Sequence, residues 1–155
     1  NNILEVKKIN EKIFATLNLD EKLNLLSLYF ASLYGRGESL QLKIDCPKYS
    51  TDIADDVKYI DASGVINNEN NELSFFIINR SEKDNININF NLKDIHIDNI
   101  IDQQIINNED MYAANTKDKP KTIQPKKSFI AQFTNNQLSA NLPFLTYLFV
   151  RLKLK

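Results

Sequence analysis

The sequence predicts a mainly β protein, an antiparallel, jelly-roll-like β-sandwich preceded by one amphipathic α-helix. Two observations predict this fold class. Apolar residues recur with the helical period only between residues 20 and 34. From residue 39 onward, apolar and polar residues alternate in roughly seven to nine short runs separated by turn segments, a pattern typical of strands that bury one side in a sandwich.

The helix is predicted over Asp20 to Tyr34. Asp20 is a suitable N-cap, and Gly35 stands where a helix commonly ends in a left-handed residue. The apolar residues cover close to half the circumference, wider than the stripe of about 100° that one packing face needs. A helix of this kind is expected to contact two partners; its apolar positions are Leu23, Leu25, Leu26, Tyr29, Phe30, Leu33 and Tyr34.

The strands are predicted from alternation. Val57 to Ile66 and Glu72 to Asn79 form a hairpin across the Asn-rich tip 67–71, because Asn tolerates left-handed turn conformations. Ile95 to Ile106 and Leu145 to Leu154 are longer β-rich runs. Three further sets of inward-facing residues are Leu40, Leu42, Ile44 and Cys46; Ile86, Ile88, Phe90 and Leu92; and Phe129, Ala131 and Phe133, paired across Asn135-Asn136 with Leu138, Ala140 and Leu142.

Residues 1–19 leave two interpretations open. Their apolar positions fit one or two short strands, although the interleaved Glu and Lys also permit a helix. The expected organisation is an N-terminal stretch at 1–19, for which an added strand is one of the two interpretations, a helix at 20–36 and a sandwich at 37–155.

Length and charge limit the function. A chain of 155 residues is one ordinary domain and is too short for a sandwich together with a (β/α)₈ barrel. The net charge of −1 gives no field that would concentrate nucleic acid or anionic lipid, so neither partner is expected. No apolar run approaches the roughly 18 residues needed to cross a bilayer. The first residue is Asn, so the chain looks excised, and its compartment is unknown.

No catalytic, cofactor or metal site is expected. Cys46 is the one cysteine and is predicted to be a small buried residue, while His96, the one histidine, is predicted to face solvent. Arg80 is expected to form a structural ion pair or a rim contact. The basic stretch Lys117 to Lys127 contains Pro120 and Pro125 and is predicted to be a surface loop.

Two patterns invite functional interpretations that the residues do not favour. Four Asn-Glu pairs end in Glu11, Glu69, Glu72 and Glu109, but they lie in turns or in the ambiguous N-terminal stretch rather than at converging strand ends. The aromatic residues would suit a sugar-stacking platform, yet their alternation favours packing; they are Tyr49, Tyr59, Phe75, Phe76, Tyr112 and Tyr147.

Several ordered motifs resemble a known family. Cys46-Pro47-x-Tyr49 is followed by Tyr59 to Ser63 and by a run that closes on Asn79-Arg80-Ser81. Downstream lie Asp110 to Thr116, the spaced prolines, Leu142 to Leu145 and Val150-Arg151-Leu152. Their order resembles the C-terminal β-sandwich of α-L-arabinofuranosidases of glycoside hydrolase family 51, over roughly residues 28–152. Asn10 to Phe14 loosely resembles that family's N-terminal strand, which joins the sandwich before the barrel.

The resemblance implies a non-catalytic domain whose parent hydrolyses terminal α-L-arabinofuranosyl residues of hemicellulose or arabinan with retention, using two glutamates of the barrel. The catalytic barrel would be the partner, and the helix at 20–34 resembles the last barrel helix. The chain alone is expected to be inactive. The alternative is a stand-alone carbohydrate-binding or assembly module. Without a barrel, we expect self-association through the helix, with Leu25, Leu28 or Tyr29 uncovered, or Ile3 to Phe14 folded over it.

Overall fold

The computed structural model describes residues 2–8 and 21–155, with side chains from residue 28 onward. The described elements are β1 (Asn2–Lys8), α1 (Glu21–Tyr34), β2 (Glu38–Asp45), β3 (Lys48–Tyr49), β4 (Val57–Lys58), β5 (Ile60–Asn67), β6 (Glu72–Asn79), β7 (Ile86–Asn91), β8 (Ile97–Asn107), β9 (Lys126–Lys127), β10 (Ala131–Thr134), β11 (Gln137–Leu142) and β12 (Thr146–Leu154). The prediction of a mainly β sandwich with one helix is confirmed.

Two layers share one strand. Sheet A has the strand order β10-β11-β7-β1-β2, and sheet B continues from β2 as β5-β6-β12-β8-β9. The first two residues of β2, Glu38 and Ser39, pair with β5, and the rest of β2 pairs with β1. The ladders are antiparallel except that β1 runs parallel to β7. Because β2 passes from one sheet to the other, it closes one side of the sandwich.

The N-terminal strand lies in sheet A. Asn2–Lys8 pair with both β2 and β7, whereas α1 covers sheet B. The expectation that this stretch folds over the helix is therefore wrong for residues 3–8. Asn10 to Phe14, which resembles a family strand, lies outside the described residues.

Two glycines shape the connection between α1 and β2. The N–H of Gly35 donates to Ala31 O at 2.8 Å, but the left-handed conformation expected there is found at Gly37 instead, with φ of 142°. A Cβ on Gly37 would lie 2.1 Å from Ile66 O. The backbone of β5 thus occupies the space of a side chain, which requires glycine at 37.

The main core lies between the two sheets. Phe75 of β6 is fully buried and its ring centroid lies 5.1 Å from that of Phe90 of β7. The alternation predicted for β2, β7 and β11 is confirmed, since the inward residues of these strands are buried in or packed against this core. Its buried members include Leu40, Ile60, Leu73, Phe75, Ile77, Ile86, Ile88, Phe90, Leu138, Leu142, Leu148, Val150 and Leu152.

Strands β6 and β12 are buried on both faces. Their inward residues join the main core, while Phe76, Ile78, Tyr147 and Phe149 form a second cluster on the outer side of sheet B. This outer cluster also contains Phe30 of α1. The chain from residue 108 to 125, called the 108–125 loop below, adds Ala113 and Ile123 to it. The sandwich therefore has a third layer over the middle of sheet B.

Two hairpin turns connect neighbouring strands, and one side chain connects the two sheets. The predicted hairpin tips are confirmed, with φ of 54° at Asn71 and of 52° and 59° at Asn135 and Asn136. Gln103 of β8 accepts a hydrogen bond from Ala131 N at 2.9 Å and donates one to Ala131 O at 3.0 Å. This buried amide joins sheet B to β10 of sheet A, on the side of the sandwich opposite β2.

One predicted strand residue is misplaced. Phe129 was expected to face inward with Ala131, but β10 begins at Ala131 and the Phe129 side chain is 74% exposed. Three residues before that strand begins, the N–H of Ser128 donates to Gln103 O, and Lys127 Nζ lies 5.8 Å from the Phe129 ring centroid. Phe129 therefore belongs to the connection after β9, where strand alternation does not apply.

Candidate functional site

The helix α1 is held to sheet B by one flank. The Phe30 side chain is 2% exposed, and its ring stacks on Phe149 of β12 with centroids 4.8 Å apart. The Tyr34 ring, one helical turn further on, stacks on the same phenylalanine at 4.9 Å. The guanidinium carbon of Arg151 lies 4.7 Å from the Tyr34 ring centroid, which adds a cation-π contact. Phe30 and Tyr34 thus anchor the helix.

The opposite flank of α1 is apolar and uncovered. Leu28, Tyr29 and Leu33 are 62%, 55% and 48% exposed. Tyr29 and Leu33 are four residues apart and so share one helix face. We call these three residues the exposed flank. Leu28 and Tyr29 were predicted to be uncovered, and both are; the Leu25 side chain lies outside the described residues.

The neighbouring 108–125 loop also presents apolar side chains. Met111 is 55% exposed and Tyr112 is 77% exposed, so the expectation that Tyr112 serves packing is wrong. The loop itself is braced, because the Asn115 side-chain amide accepts from Ile123 N and donates to Ile123 O, both at 2.7 Å. Since Ile123 packs with Phe30, the loop and the helix build one continuous outer layer with exposed apolar groups.

The residues considered for catalysis are dispersed. Glu69 is exposed at the hairpin tip, Glu109 is exposed in the 108–125 loop, and Glu72 Oε2 lies 3.8 Å from Arg151 Nε. Glu11 lies outside the described residues. His96 is exposed, as predicted. Within residues 28–155, no three His, Cys, Asp or Glu side chains are grouped to hold a metal ion.

Two predicted structural roles are observed. Arg80 Nη2 donates to Asp61 Oδ2 at 2.7 Å, and Arg80 Nη1 donates to Lys58 O at 3.3 Å. Cys46 is half-buried against the main core, and its Sγ lies 4.0 Å from Ile60 O. Both residues therefore support the segment that enters β5.

Burial perturbs one tyrosine of the outer cluster. Desolvation raises the pKa of the Tyr147 hydroxyl well above its ordinary value near 10. That hydroxyl is buried and has no hydrogen-bond partner among the described residues. It lies under the helix anchor, with the Tyr147 and Phe30 ring centroids 6.3 Å apart. The Tyr147 hydroxyl therefore favours its neutral form, and the Tyr147 ring packs in the outer cluster.

A polar groove opens at the end of the sandwich where β7 begins. It has a volume of about 400 Å³ and is lined by Pro47, Tyr59, Ser81, Asp84, Asn85, Ile86, Asn87 and Asn89. The Tyr59 ring lies against Tyr49 with centroids 4.7 Å apart. Sequence reasoning assigned the tyrosines to packing and missed the groove, since its walls come from segments far apart in the chain. The one local signal was the repeated Asn of β7.

The chain is similar in sequence and fold to known enzymes. The family model of the α-L-arabinofuranosidase C-terminal domain matches residues 27–145. The intracellular exo-α-(1→5)-L-arabinofuranosidase 1 of Bacillus subtilis is 32% identical over 123 residues, which cover 79% of this chain and 24% of the relative. A counterpart from Halalkalibacterium halodurans is 30% identical over 122 residues, with the same shares.

A solved structure supports the fold. A family 51 α-L-arabinofuranosidase from Bifidobacterium longum superposes with a TM-score of 0.72 at 21% identity, over 79% of this chain and 24% of that one. The chain thus spans about a quarter of the length of the relatives it matches.

The family match and the fold define a class, the C-terminal β-sandwich domains of glycoside hydrolases. Within that class, the chain belongs to the α-L-arabinofuranosidase C-terminal domain family. It corresponds to the non-catalytic C-terminal part of family 51 enzymes, as the resemblance implied. No helix among the described residues is long and apolar enough to cross a membrane.

Proposed function

We propose that this domain packs against the catalytic barrel of an α-L-arabinofuranosidase and stabilises it, while the barrel carries out the retaining hydrolysis of terminal arabinofuranosyl residues. The observation that carries the proposal is the exposed flank of α1. Leucine and tyrosine side chains exposed by about half or more, on a helix already anchored by its other side, form an apolar surface that a protein partner would cover. The resembled enzymes supply that partner in the barrel.

The arrangement of the helix supports this role. Phe30 and Tyr34 stack on one ring of β12, so the exposed flank is held at a fixed angle to the sheet. A rigid apolar surface loses little conformational entropy on binding and therefore suits a permanent contact. In this arrangement, residues 20–36 connect the barrel to the sandwich at 37–155.

An activity assay tests the non-catalytic role. The purified chain should release no chromophore from 4-nitrophenyl α-L-arabinofuranoside beyond the buffer rate. Turnover that persists through further purification, and that is lost when Glu72 or Glu109 is changed to Gln, would contradict it.

A second experiment tests the barrel partner. An antibody raised against this chain, applied to extracts of the cells that produce it, should retain the arabinofuranosidase activity and a polypeptide with the barrel sequence. Activity that stays wholly in the unbound fraction, while the chain itself is depleted, would overturn the proposal.

A further inference from the structure

The polar groove at the start of β7 has the composition of a binding site for uncharged sugars. Its volume of about 400 Å³ lies within the usual range for small-ligand sites. Among the described residues, Asn85, Asn87 and Asn89 line it, and no Lys or Arg does. Asn85 Oδ1 accepts from Phe144 N at 3.2 Å, and Asn87 Oδ1 accepts from Asn141 Nδ2. An amide both donates and accepts hydrogen bonds, as a sugar hydroxyl does. The lining therefore suits a neutral polyhydroxylated ligand better than a phosphate or another anion.

On the side of β7 that adjoins β11 and β10, the outer surface beside the groove is uncharged as well. The outward-facing residues of β7, β11 and β10 are all amides or hydroxyls, although a quarter of the chain's residues are charged. Edge strands commonly carry charges, Lys especially, to prevent association, so an uncharged strip at this edge is unusual. Its members are Asn87, Asn89, Asn91, Gln132, Thr134, Gln137, Ser139 and Asn141.

One aromatic residue, Tyr59, lines the groove while its side chain packs against the main core. Tyr59 is half-buried and lines the groove, and Tyr49 supports it from the side. The backbone around Tyr59 is pinned on both sides, since its N–H donates to Pro47 O at 3.1 Å and its carbonyl accepts from Arg80 N at 2.8 Å. A fixed aromatic ring beside several amides provides a stacking surface for the apolar face of a sugar ring.

The loop at 81–85 is braced by hydrogen bonds within the chain. The buried Asn79 amide donates to Asp84 O at 3.0 Å and to Pro143 O at 2.9 Å, and it accepts from Ser81 N at 2.9 Å. Ser81 Oγ accepts from Asp84 N at 2.9 Å. A groove whose walls are already held by hydrogen bonds loses little conformational entropy when a ligand binds. The motif Asn79-Arg80-Ser81 thus builds the walls of the groove.

We propose that this groove binds a neutral oligosaccharide, with Tyr59 stacking on one sugar ring and Asn85, Asn87 and Asn89 bonding to its hydroxyls. Asp84, the one charged residue among the described residues that line the groove, accepts hydrogen bonds from hydroxyls and repels acidic sugars. The groove lies beside sheet A, whereas the exposed flank belongs to the helix on sheet B. The proposal therefore does not depend on the docking role.

Titration of the ¹⁵N-labelled chain with α-(1→5)-linked arabinotetraose, followed by two-dimensional NMR, tests this inference. We expect saturable shifts of the Tyr59, Asn85, Asn87 and Asn89 signals and none at Leu28 or Leu33. Titration with xylotetraose tests how far the site discriminates among neutral sugars. Titration with tetragalacturonate tests charge selectivity, and this acidic sugar should bind at least tenfold more weakly than arabinotetraose. Shifts that are absent with both neutral sugars, that map elsewhere, or that are equally strong with the acidic sugar would overturn the proposal.

Variants locate the site. Asn87→Ala removes an exposed amide and should weaken binding by about tenfold, the loss expected for one or two hydrogen bonds. Tyr59→Leu should weaken it at least as much. Asn99→Ala, an exposed amide on β8 of the other sheet, is the matched control and should leave affinity unchanged. If Tyr59→Leu disturbs folding, Asn87→Ala decides, and wild-type affinity in that variant with an intact spectrum would overturn the assignment.

Discussion

At the residue scale, the core contact of Phe75 is the clearest source of stability. Its side chain is fully buried between the sheets against Phe90. Phe75→Ala should lower the free energy of unfolding by about 3–5 kcal/mol, because the cavity that remains cannot fully collapse. Chemical denaturation measures this. Glu69→Ala at the exposed hairpin tip is the control, with an expected change within about 0.5 kcal/mol. A larger effect at Glu69 than at Phe75 would mean that the strand register is wrong.

At Tyr147, in contrast to Phe75, removing side-chain atoms should raise the free energy of unfolding. Because its hydroxyl is buried and has no partner in the part of the chain that the structure describes, Tyr147→Phe removes a desolvated polar group and should raise the free energy of unfolding by about 1 kcal/mol. Burial raises the pKa of this hydroxyl in the folded state. The folded protein therefore loses stability as the pH rises above about 10, where the unfolded tyrosine ionises and the folded one does not.

Denaturation at neutral pH and above pH 10 checks the Tyr147 prediction. The stability gap between Tyr147→Phe and the parent should widen in alkali, whereas Tyr112→Phe, at an exposed position, should follow the parent throughout. A Tyr147→Phe variant that is less stable than the parent would mean that the hydroxyl has a partner in solution.

At the element scale, the sequence predicted strands where one face is buried and polar residues alternate with apolar ones, as in β2 and β7. It predicted the hairpin tips because Asn supplies the left-handed turn residues. Alternation is a local signal, so it did not reveal that β2 crosses between sheets or that β1 runs parallel to β7. It also placed Phe129 in a strand, since the pattern of Phe129, Ala131 and Phe133 does not show where a strand begins.

The edge of sheet A depends on one amide. Gln103 bonds both backbone groups of Ala131, so Gln103→Met leaves a donor and an acceptor buried without partners. The expected cost is about 1–3 kcal/mol, together with faster hydrogen exchange at the Ala131 amide. Gln104→Met changes the half-buried neighbour, whose amide contacts Asp102, and should leave that exchange rate unaltered. Equal protection of Ala131 in both variants would show that β10 is held by other contacts.

At the scale of the whole molecule, the sandwich has two layers of sheet and a partial third layer of helix and loop. The third layer explains why Phe76, Ile78, Tyr147 and Phe149 are apolar on a face that a two-layer sandwich would leave to solvent. The run from Leu73 to Ile78 is apolar except for Ser74, as in strands buried on both faces, but its partner on the outer face was not visible in the sequence. The groove at Tyr59 was equally hidden, because only the folded chain brings Pro47, Tyr59 and Asn87 together.

The exposed flank should make the isolated chain self-associate. Apolar surface without its partner associates with itself, so the chain should form dimers or larger species whose proportion rises with concentration. Changing Tyr29 and Leu33 to Glu places two charges in that contact and should shift sedimentation toward the monomer. Phe129→Glu changes an equally exposed aromatic residue away from the helix and is the matched control. A parent chain that sediments as a monomer at all concentrations, or an association that Phe129→Glu disrupts and the helix variant does not, would contradict the assignment of this flank as the contact surface.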